Sequence, residues 1–202
     1  MSYPSYPEYK ESGLKWIPRI PSEWQLIAIG RVLAAPVTDG PHLTPEFLDE
    51  GIPFLSVDSI QDGSLNFDYC RYISFEDHKE FRRKAAPKFN DILMGKAASI
   101  GKIARVTDAS KEFSIWSPLA LIRTDPRKCK AEYLEFCLKS EELQVQIYLA
   151  ANSNTQLNIG MKDVPKLRIA MPRLSEQTQI ARFLDHQTAR IDALIAEQQR
   201  LI

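Results

Sequence analysis

The chain has 202 residues, 44% of them hydrophobic, and its 26 basic and 26 acidic side chains give a formal net charge of zero. This length allows one ordinary domain with an extension or two small domains, and the apolar share is enough for a real core. No run approaches the roughly 18–20 apolar residues of a membrane span. The start MSYPSYPEYKESG lacks the basic-then-apolar pattern of a signal peptide, so a cytoplasmic protein is expected. Cys70, Cys129 and Cys137 form no CxxC pair, and His42, His78 and His186 supply no closely paired ligands. The cysteines read as reduced, mostly buried thiols rather than as a zinc site.

In chain order, residues 1–24 are rich in Pro, Tyr and Trp and predict an extended arm that lays its aromatic rings on the body. Residues 25–34 predict a strand leading into a short helix. Thr38-Asp39-Gly40-Pro41-His42 is a turn signal, and His42 is better placed to hold that loop than to touch a ligand. Residues 52–57 read as a buried strand. Asp62-Gly63 then makes a turn, with Leu65, Phe67 and Tyr69 alternating on a return strand. Ser74, with Asp77 three positions on, caps a short helix on which Lys79, Arg82 and Arg83 share a face.

Residues 89–94 and 100–106 predict strands around the loop Gly95-Lys96-Ala97-Ala98-Ser99. The loop fails as a P-loop, because Asn90 stands where the first glycine belongs and Ala97 follows the lysine. It is either a plain hairpin connection or a place where Lys96, Ser99 and backbone N–H groups meet a phosphate. Residues 115–122 read as one apolar strand. Residues 131–139 and 141–150 read as two helices divided at Ser140. An amide run follows (Asn152, Asn154, Gln156, Asn158), then a strand with Leu167, Ile169 and Met171 on one face, ended by Pro172.

Ser175 is the expected N-cap of a helix running to residue 202, with Glu176 in the first turn where the helix dipole favours negative charge. Ile180, Leu184, Gln187, Ile191, Leu194, Gln198 and Leu201 are spaced 4, 3, 4, 3, 4, 3, the narrow seam of a coiled coil. A helix lying on its own domain is the other reading. Either way, residues 1–174 form one expected unit and 175–202 a long helix of about 42 Å, which projects on the first reading.

Charge is segregated although the total is zero. Residues 39–68 hold seven acids and no Lys or Arg, whereas residues 71–105 hold nine bases against four acids. Such a division suits a protein that offers one face to phosphates and another to protein partners. Arg71, Lys79, Arg82, Arg83, Lys84, Lys88, Lys96, Ser99 and Lys102 are the candidate contacts to phosphates, those of DNA on the family resemblance that follows. No catalytic constellation is legible. There is no Pro-Pro pair for a methyltransferase motif, no lysine close in sequence to the acids of 39–68, and no spacing that suggests a nucleophile with its base.

Four stretches resemble, in family order, the specificity (S) subunit of type I DNA restriction–modification systems. They are YPEYKESGLKWIPRIPSEW, TDGPHLTP with GIPFLSVDSI, DILMGKAASIGKIARV, and NTQLNIGMKDVPKLRIAMPRLSEQTQIARFLDHQTARIDALIAEQQRLI. The resemblance implies a target recognition domain followed by a conserved helix that pairs in an antiparallel coiled coil. Members usually carry two recognition domains, and this chain has room for one. The expected fold is α+β, a mixed curled sheet with short helices followed by one long coiled-coil-forming helix. The expected function is non-catalytic, sequence-specific reading of one half of a two-part DNA target. The implied partners are double-stranded DNA, modification (methyltransferase) subunits, restriction subunits, and a second recognition domain supplied by a homodimer or a second half. The other reading is a protein-interaction half-subunit that modulates assembly of a full specificity subunit.

Residues shared by family members with different targets cannot be the variable readers. The amide run is therefore expected to serve turns or subunit contacts, and base reading to lie in 66–88 and 107–114. The resemblance also implies that S-adenosylmethionine, Mg and ATP bind only partner subunits. The isolated chain should accordingly give no heat of binding on titration with millimolar S-adenosylmethionine, and a stoichiometric isotherm would overturn that assignment.

Overall fold

The computed structural model describes residues 5–97, 99–151 and 157–200. The arm expected to be extended is a hairpin. Strand β1 (Tyr9–Leu14) pairs antiparallel with β2 (Ile17–Pro21) through a turn at Lys15 and Trp16, and Gly13, at φ +79°, sits where the register of β1 shifts. Strand β3 (Gln25–Ala28) runs into a single 3₁₀ turn at Ile29–Val32, as the sequence predicts. Next come β4 (Thr38–Asp39), β5 (Ile52–Leu55), β6 (Ile60–Gln61) and β7 (Ser64–Leu65). Asp62 and Gly63 join β6 to β7 with both φ angles positive, at 49° and 73°, as a tight hairpin turn requires.

The return strand expected through Tyr69 stops at Leu65. The Asn66 side chain accepts a 2.9 Å hydrogen bond from the Asp68 N–H and curls Phe67–Tyr69 into a 3₁₀ turn. A short amide that bonds its own backbone in this way competes with the strand ladder. Strand β8 (Arg71–Ile73) leads to helix α1 (Phe75–Phe81), whose N-cap Ser74 accepts from the Asp77 N–H at 3.0 Å.

Strands β9 (Ile92–Gly95) and β10 (Ile103–Arg105) pair antiparallel. The expected start at Phe89 fails because Phe89 is exposed and Asn90 turns at φ +68°. The single strand expected over 115–122 is two, β11 (Ser114–Ile115) and β12 (Leu119–Ile122), lying in different sheets. Pro118, which has no N–H to give a ladder, sits at the crossing between them. Helices α2 (Ala131–Lys139) and α3 (Glu141–Ala150) keep the boundaries read from sequence, and Ser140 caps the second through the Leu143 N–H at 3.5 Å. Strand β13 (Arg168–Met171) and helix α4 (Leu174–Gln199) complete the described chain.

The protein is α+β. A four-stranded sheet runs in the order β10-β9-β12-β4, and a three-stranded sheet in the order β11-β5-β8. The pairs β1-β2, β13-β3 and β6-β7 flank them. Strands β9 and β12 are buried on both faces, which is why their sequences are unbroken apolar runs rather than alternating ones. Ile92, Met94, Ala120 and Ile122 join a core with α2, α3 and β13, whereas Leu93, Leu119 and Leu121 join a second core with Leu55 and Val57. A third cluster, Phe54, Ile73 and Phe81, seats α1 on the smaller sheet. Burial pushes the Cys129 and Cys137 thiols each up to about 12, as expected of unreactive buried cysteines.

Helix α4 starts one residue before the expected cap. Arg173 is the extended N-cap residue and gives no side-chain capping bond, so Ser175 lies inside the first turn. Two residues of that turn fix the helix to the body instead. Glu176 Oε1 accepts from the Tyr6 hydroxyl at 2.6 Å and from Trp24 Nε1 at 3.2 Å, so the arm does lay aromatic rings on the body. Gln177 is 1% exposed. Its Oε1 accepts from the Lys130 N–H at 2.9 Å, and its Nε2 donates to the Pro172 carbonyl at 3.0 Å. Replacing Gln177 by Ala strands these buried backbone groups, each worth about 1–3 kcal/mol. The Gln177→Ala protein should melt lower by roughly 2–4 °C per kcal/mol lost, measured by circular dichroism. An unchanged Tm would show that α4 is held by its apolar contacts alone.

Candidate nucleic-acid interface

The backbone spiral of α1 continues past its last residue, because the Arg82 N–H bonds to the His78 carbonyl and the Ala85 N–H to that of Phe81. Phe75, Lys79 and Arg82 therefore follow one another at spacings of four and three on one side, with Arg83 beside them. His78 and Phe81 face inward and are buried at 2% and 6% exposure, with the Phe75 ring centroid 6.3 Å from that of His78. Phe75 is 62% exposed, an unusual place for a phenylalanine. Lys79 and Arg83 are exposed.

The loop from Thr107 to Phe113 comes to this helix. Glu112 Oε1 lies 3.5 Å from Arg82 Nη1 and 3.2 Å from His78 Nε2. The second is a close contact without hydrogen-bond geometry, and His78 Nε2 has no hydrogen-bond partner among the described residues. The other ring nitrogen, Nδ1, is 2.9 Å from Ser114 Oγ. Lys111 Nζ sits 4.3 Å over the Phe67 ring, which meets Phe113 edge-on at 5.5 Å. Tyr69, 56% exposed, follows Phe67 in the same 3₁₀ turn. The two stretches expected to read bases, 66–88 and 107–114, are thus one surface. Lys111, Glu112 and Phe75 are not singled out by the sequence, whose only signal for all three is their place in stretches outside the shared motifs.

The other expected contacts divide. Lys84 and Lys96 meet on Asp39: Lys84 Nζ is 2.5 Å from Oδ1 and Lys96 Nζ 3.1 Å from Oδ2. The Lys96 side chain is only 8% exposed, so its ammonium serves the interior. Asp39 is accordingly no part of an outward acidic face, contrary to what the charge segregation suggests. His42 holds the same loop, with Nδ1 2.9 Å from Ser117 Oγ and Nε2 3.3 Å from Asp39 Oδ2. Gly40 is needed there, since a Cβ would collide with the Ile115 carbonyl oxygen. Lys102 Nζ donates to the Ile60 carbonyl at 3.1 Å. Ser99 is half-buried and Lys88 exposed. Arg71 is exposed, its guanidinium 4.3 Å from the Phe47 ring centroid. Asn158 bridges to Ala97 on the backbone, whereas Asn152, Asn154 and Gln156 lie outside the described residues.

The helical seam is also divided. Ile180 packs on the main core, and with Leu184 it lines an apolar groove of about 240 Å³ shared with Ile17, Trp24, Tyr133 and Phe136. Gln187 is half-buried. Beyond it Ile191 and Leu194 are each 55% exposed and Ile195 50%, Gln198 is exposed, and Leu201 lies outside the described residues. The reading of a helix lying on its own domain therefore holds for the first part of its length, and the seam beyond Gln187 is exposed. Among the described residues no group of three or more His, Cys, Asp or Glu is arranged to hold a metal ion, and no helix is long and apolar enough to cross a membrane.

Residues 21–201 match the family model of the type I restriction modification DNA specificity domain. Over 177 residues the chain is 23% identical to the type I restriction enzyme EcoBI specificity subunit of Escherichia coli, covering 87% of this chain and 37% of that protein. Over 184 residues it is 28% identical to a protein of Methanocaldococcus jannaschii named as the type I restriction enzyme MjaX specificity subunit, covering 87% of this chain and 42% of that one. In fold it is similar to the HsdS subunit from Thermoanaerobacter tengcongensis, with a TM-score of 0.60 at 21% identity over 94% of this chain and 42% of that one. The chain therefore spans about two-fifths of the length of these relatives.

The Asp39 cluster generates a pH dependence. Burial raises the Asp39 carboxyl, but hydrogen bonds from Lys84 and Lys96 outweigh it and hold its pKa below the ordinary 3.8. A carboxylate with a depressed folded-state pKa adds stability above its unfolded value and loses it as pH falls through the folded one. Asp39→Asn should therefore destabilise the protein at neutral pH, leaving Lys96 buried without its counter-ion. The gap from the parent, measured by urea unfolding across an acid series, should close as pH falls below 3.8. A gap independent of pH would refute the ionic role.

Proposed function

The chain belongs to the type I restriction–modification DNA specificity family, and from that premise we propose that it binds double-stranded DNA and reads one half of a two-part target. The observation that supports this most is the meeting of α1 with the 107–114 loop. It gathers the outward cations Lys79, Arg83 and Lys111 and the outward rings of Tyr69 and Phe75 on one surface. Cations of this kind bind phosphates and set register, and groups between them read base edges. Arg71 and Lys88 extend the same phosphate-binding role. Lys84, Lys96, Lys102 and Arg82 act from behind, holding the loops that carry the surface. Catalysis, with S-adenosylmethionine, Mg and ATP, belongs in this reading to modification and restriction subunits, and the protein works in the cytoplasm where its DNA is.

The bare outer half of α4 supports a second element of the reading, antiparallel pairing with the α4 of another copy. Aligning Ile191 with Leu194 of the second helix places Gln187 opposite Gln198, so amide meets amide and apolar meets apolar. The same alignment brings Arg190 beside Glu197 of the second helix, the kind of flanking ion pair that sets helix orientation. Shifting by one heptad puts Arg190 beside its own copy. The pairing would set two recognition surfaces at a fixed separation, and two-fold symmetry would make the combined target palindromic.

Two experiments check these elements. Replacing Lys79 and Arg83 together by Ala should weaken binding to all duplexes alike and reduce the salt slope by roughly 0.9 for each phosphate no longer neutralised. Unchanged affinity and slope would move the DNA surface elsewhere. The parent chain should sediment as a dimer at micromolar concentration, and Leu194→Asp should give folded monomers. A parent that stays monomeric at high concentration would remove the self-pairing and the palindrome with it.

A further inference from the structure

Of the exposed acids on the surface just described, Glu76, Glu80, Asp108 and Glu112, Glu112 is the one that touches Arg82 and His78. It is a carboxylate, its side chain 58% exposed, among cations offered to a polyanion. Phosphates repel it, so its place there needs another ligand or a purely internal purpose. An internal purpose uses one oxygen only. Oε1 takes both contacts, Arg82 Nη1 at 3.5 Å and His78 Nε2 at 3.2 Å. His78 is itself held through Nδ1 by Ser114 and buried by the lobe, so the carboxylate is braced from beneath by a fixed ring. No hydrogen bond to Oε2 occurs among the described residues, and the side chain is 58% exposed, which leaves that oxygen free to accept from a ligand. Phosphate oxygens only accept, and the donors that double-stranded DNA presents in its major groove are the exocyclic amines, cytosine N4 and adenine N6.

We propose that Glu112 is a specificity-determining residue that accepts a hydrogen bond from the exocyclic amino group of one base in the target, with Arg82 and His78 as its positioning residues. This inference rests on the reading of the chain as a DNA-recognition protein. It gives Arg82 a different role from Lys79 and Arg83: its charge serves the carboxylate rather than a phosphate. A carboxylate so placed also rejects guanine and thymine at that position, because both present acceptors where the amine should be.

The test begins with the full chain and a random duplex pool, from which bound sites are selected. In the selected site each cytosine is then replaced in turn by 2-pyrimidinone and each adenine by purine, which delete the amine alone. One such deletion should weaken binding by the parent about 5- to 150-fold, the range of one good base contact. The replaced base says whether cytosine or adenine is read. The Glu112→Ala protein should be indifferent to that deletion and degenerate at that position, with the rest of the motif and the salt slope unchanged. The inference is overturned if no amine deletion weakens the parent, or if Glu112→Ala keeps the parent's full motif, including the case in which it binds every duplex more tightly. Should Glu112→Ala fail to fold, the amine deletions on the parent, paired with Arg82→Ala, decide it: blurring at that base with an intact salt slope supports the inference, whereas a sharp motif with a lower slope sinks it. A parent that selects no motif at all refutes the recognition reading itself, an outcome distinct from a motif in which Glu112 has no part.

Discussion

Strands β9 and β12 lie side by side over four matched residue pairs, from Ile92 opposite Ile122 to Gly95 opposite Leu119, with apolar side chains sent to both faces. The rest of the structure hangs on this pair. One face carries α2 and α3 and, through them, the root of α4; the other carries β5 and the lobe that ends in α1. The pair is also tied at one end. Arg123, following β12, grips Asp91, preceding β9, through two bonds of 2.7 and 2.6 Å, a bidentate arrangement that holds the guanidinium pKa above its ordinary value. Because the two cores share one sheet, the lobe that carries α1 and the long helix are set relative to each other by β9 and β12 rather than by a linker.

The root of α4 shows how a helix can belong to a body and still project from it. Its first turns are fastened by polar groups, Glu176 to the arm and Gln177 to the backbone of two loops, and then by Ala181, which is 3% exposed. The opposing edge is sealed in a similar way: the Gln146 amide of α3 bonds both the N–H and the carbonyl of Arg168, standing in for the strand that β13 lacks on that side. Beyond Gln187 one side of the helix faces the β6–β7 turn across an open cavity that Thr188 and Asp192 line with Gly63 and Lys139, whereas Ile191, Leu194 and Ile195 remain exposed. Exposed apolar side chains in a row on one helix are where association lowers free energy most, since each buried leucine is worth about 1.5–3 kcal/mol.

On the lobe that carries α1, the cations divide by whether an acid holds them rather than by depth, since Lys84 is itself exposed. Lys96 and Lys84 are bound to Asp39, and Arg82 to Glu112, while Lys79 and Arg83 have no such anchor among the described residues. The anchored cations hold loops; the outward ones are available to phosphates. A chain with no net charge can present a basic surface in this way, because part of its acid is committed inside to the very lysines that a count would assign to DNA.

How much of this was legible follows from the range of the forces involved. Local chemistry was: Asp62-Gly63 makes its turn, Ser74 and Ser140 cap their helices, and α2 and α3 begin and end where their periodicity places them, because each depends on neighbours within a few residues. The seam of α4 was legible too, being a matter of spacing along one helix. The misplaced boundaries lie where a side chain or a distant strand intervened: Asn66 curling the return strand, Pro118 dividing 115–122 between two sheets, Arg173 taking the cap position from Ser175. The site was half legible. The sequence by itself determined the inventory of cations and the two stretches that depart from the shared motifs. Only the tertiary structure decided that Lys96 faces Asp39, that Ile180 and Leu184 rest on the body while Ile191 and Leu194 do not, and that Glu112 stands over His78. Those outcomes depend on contacts between residues dozens of positions apart, and such contacts are set by how the sheets stack rather than by any local pattern.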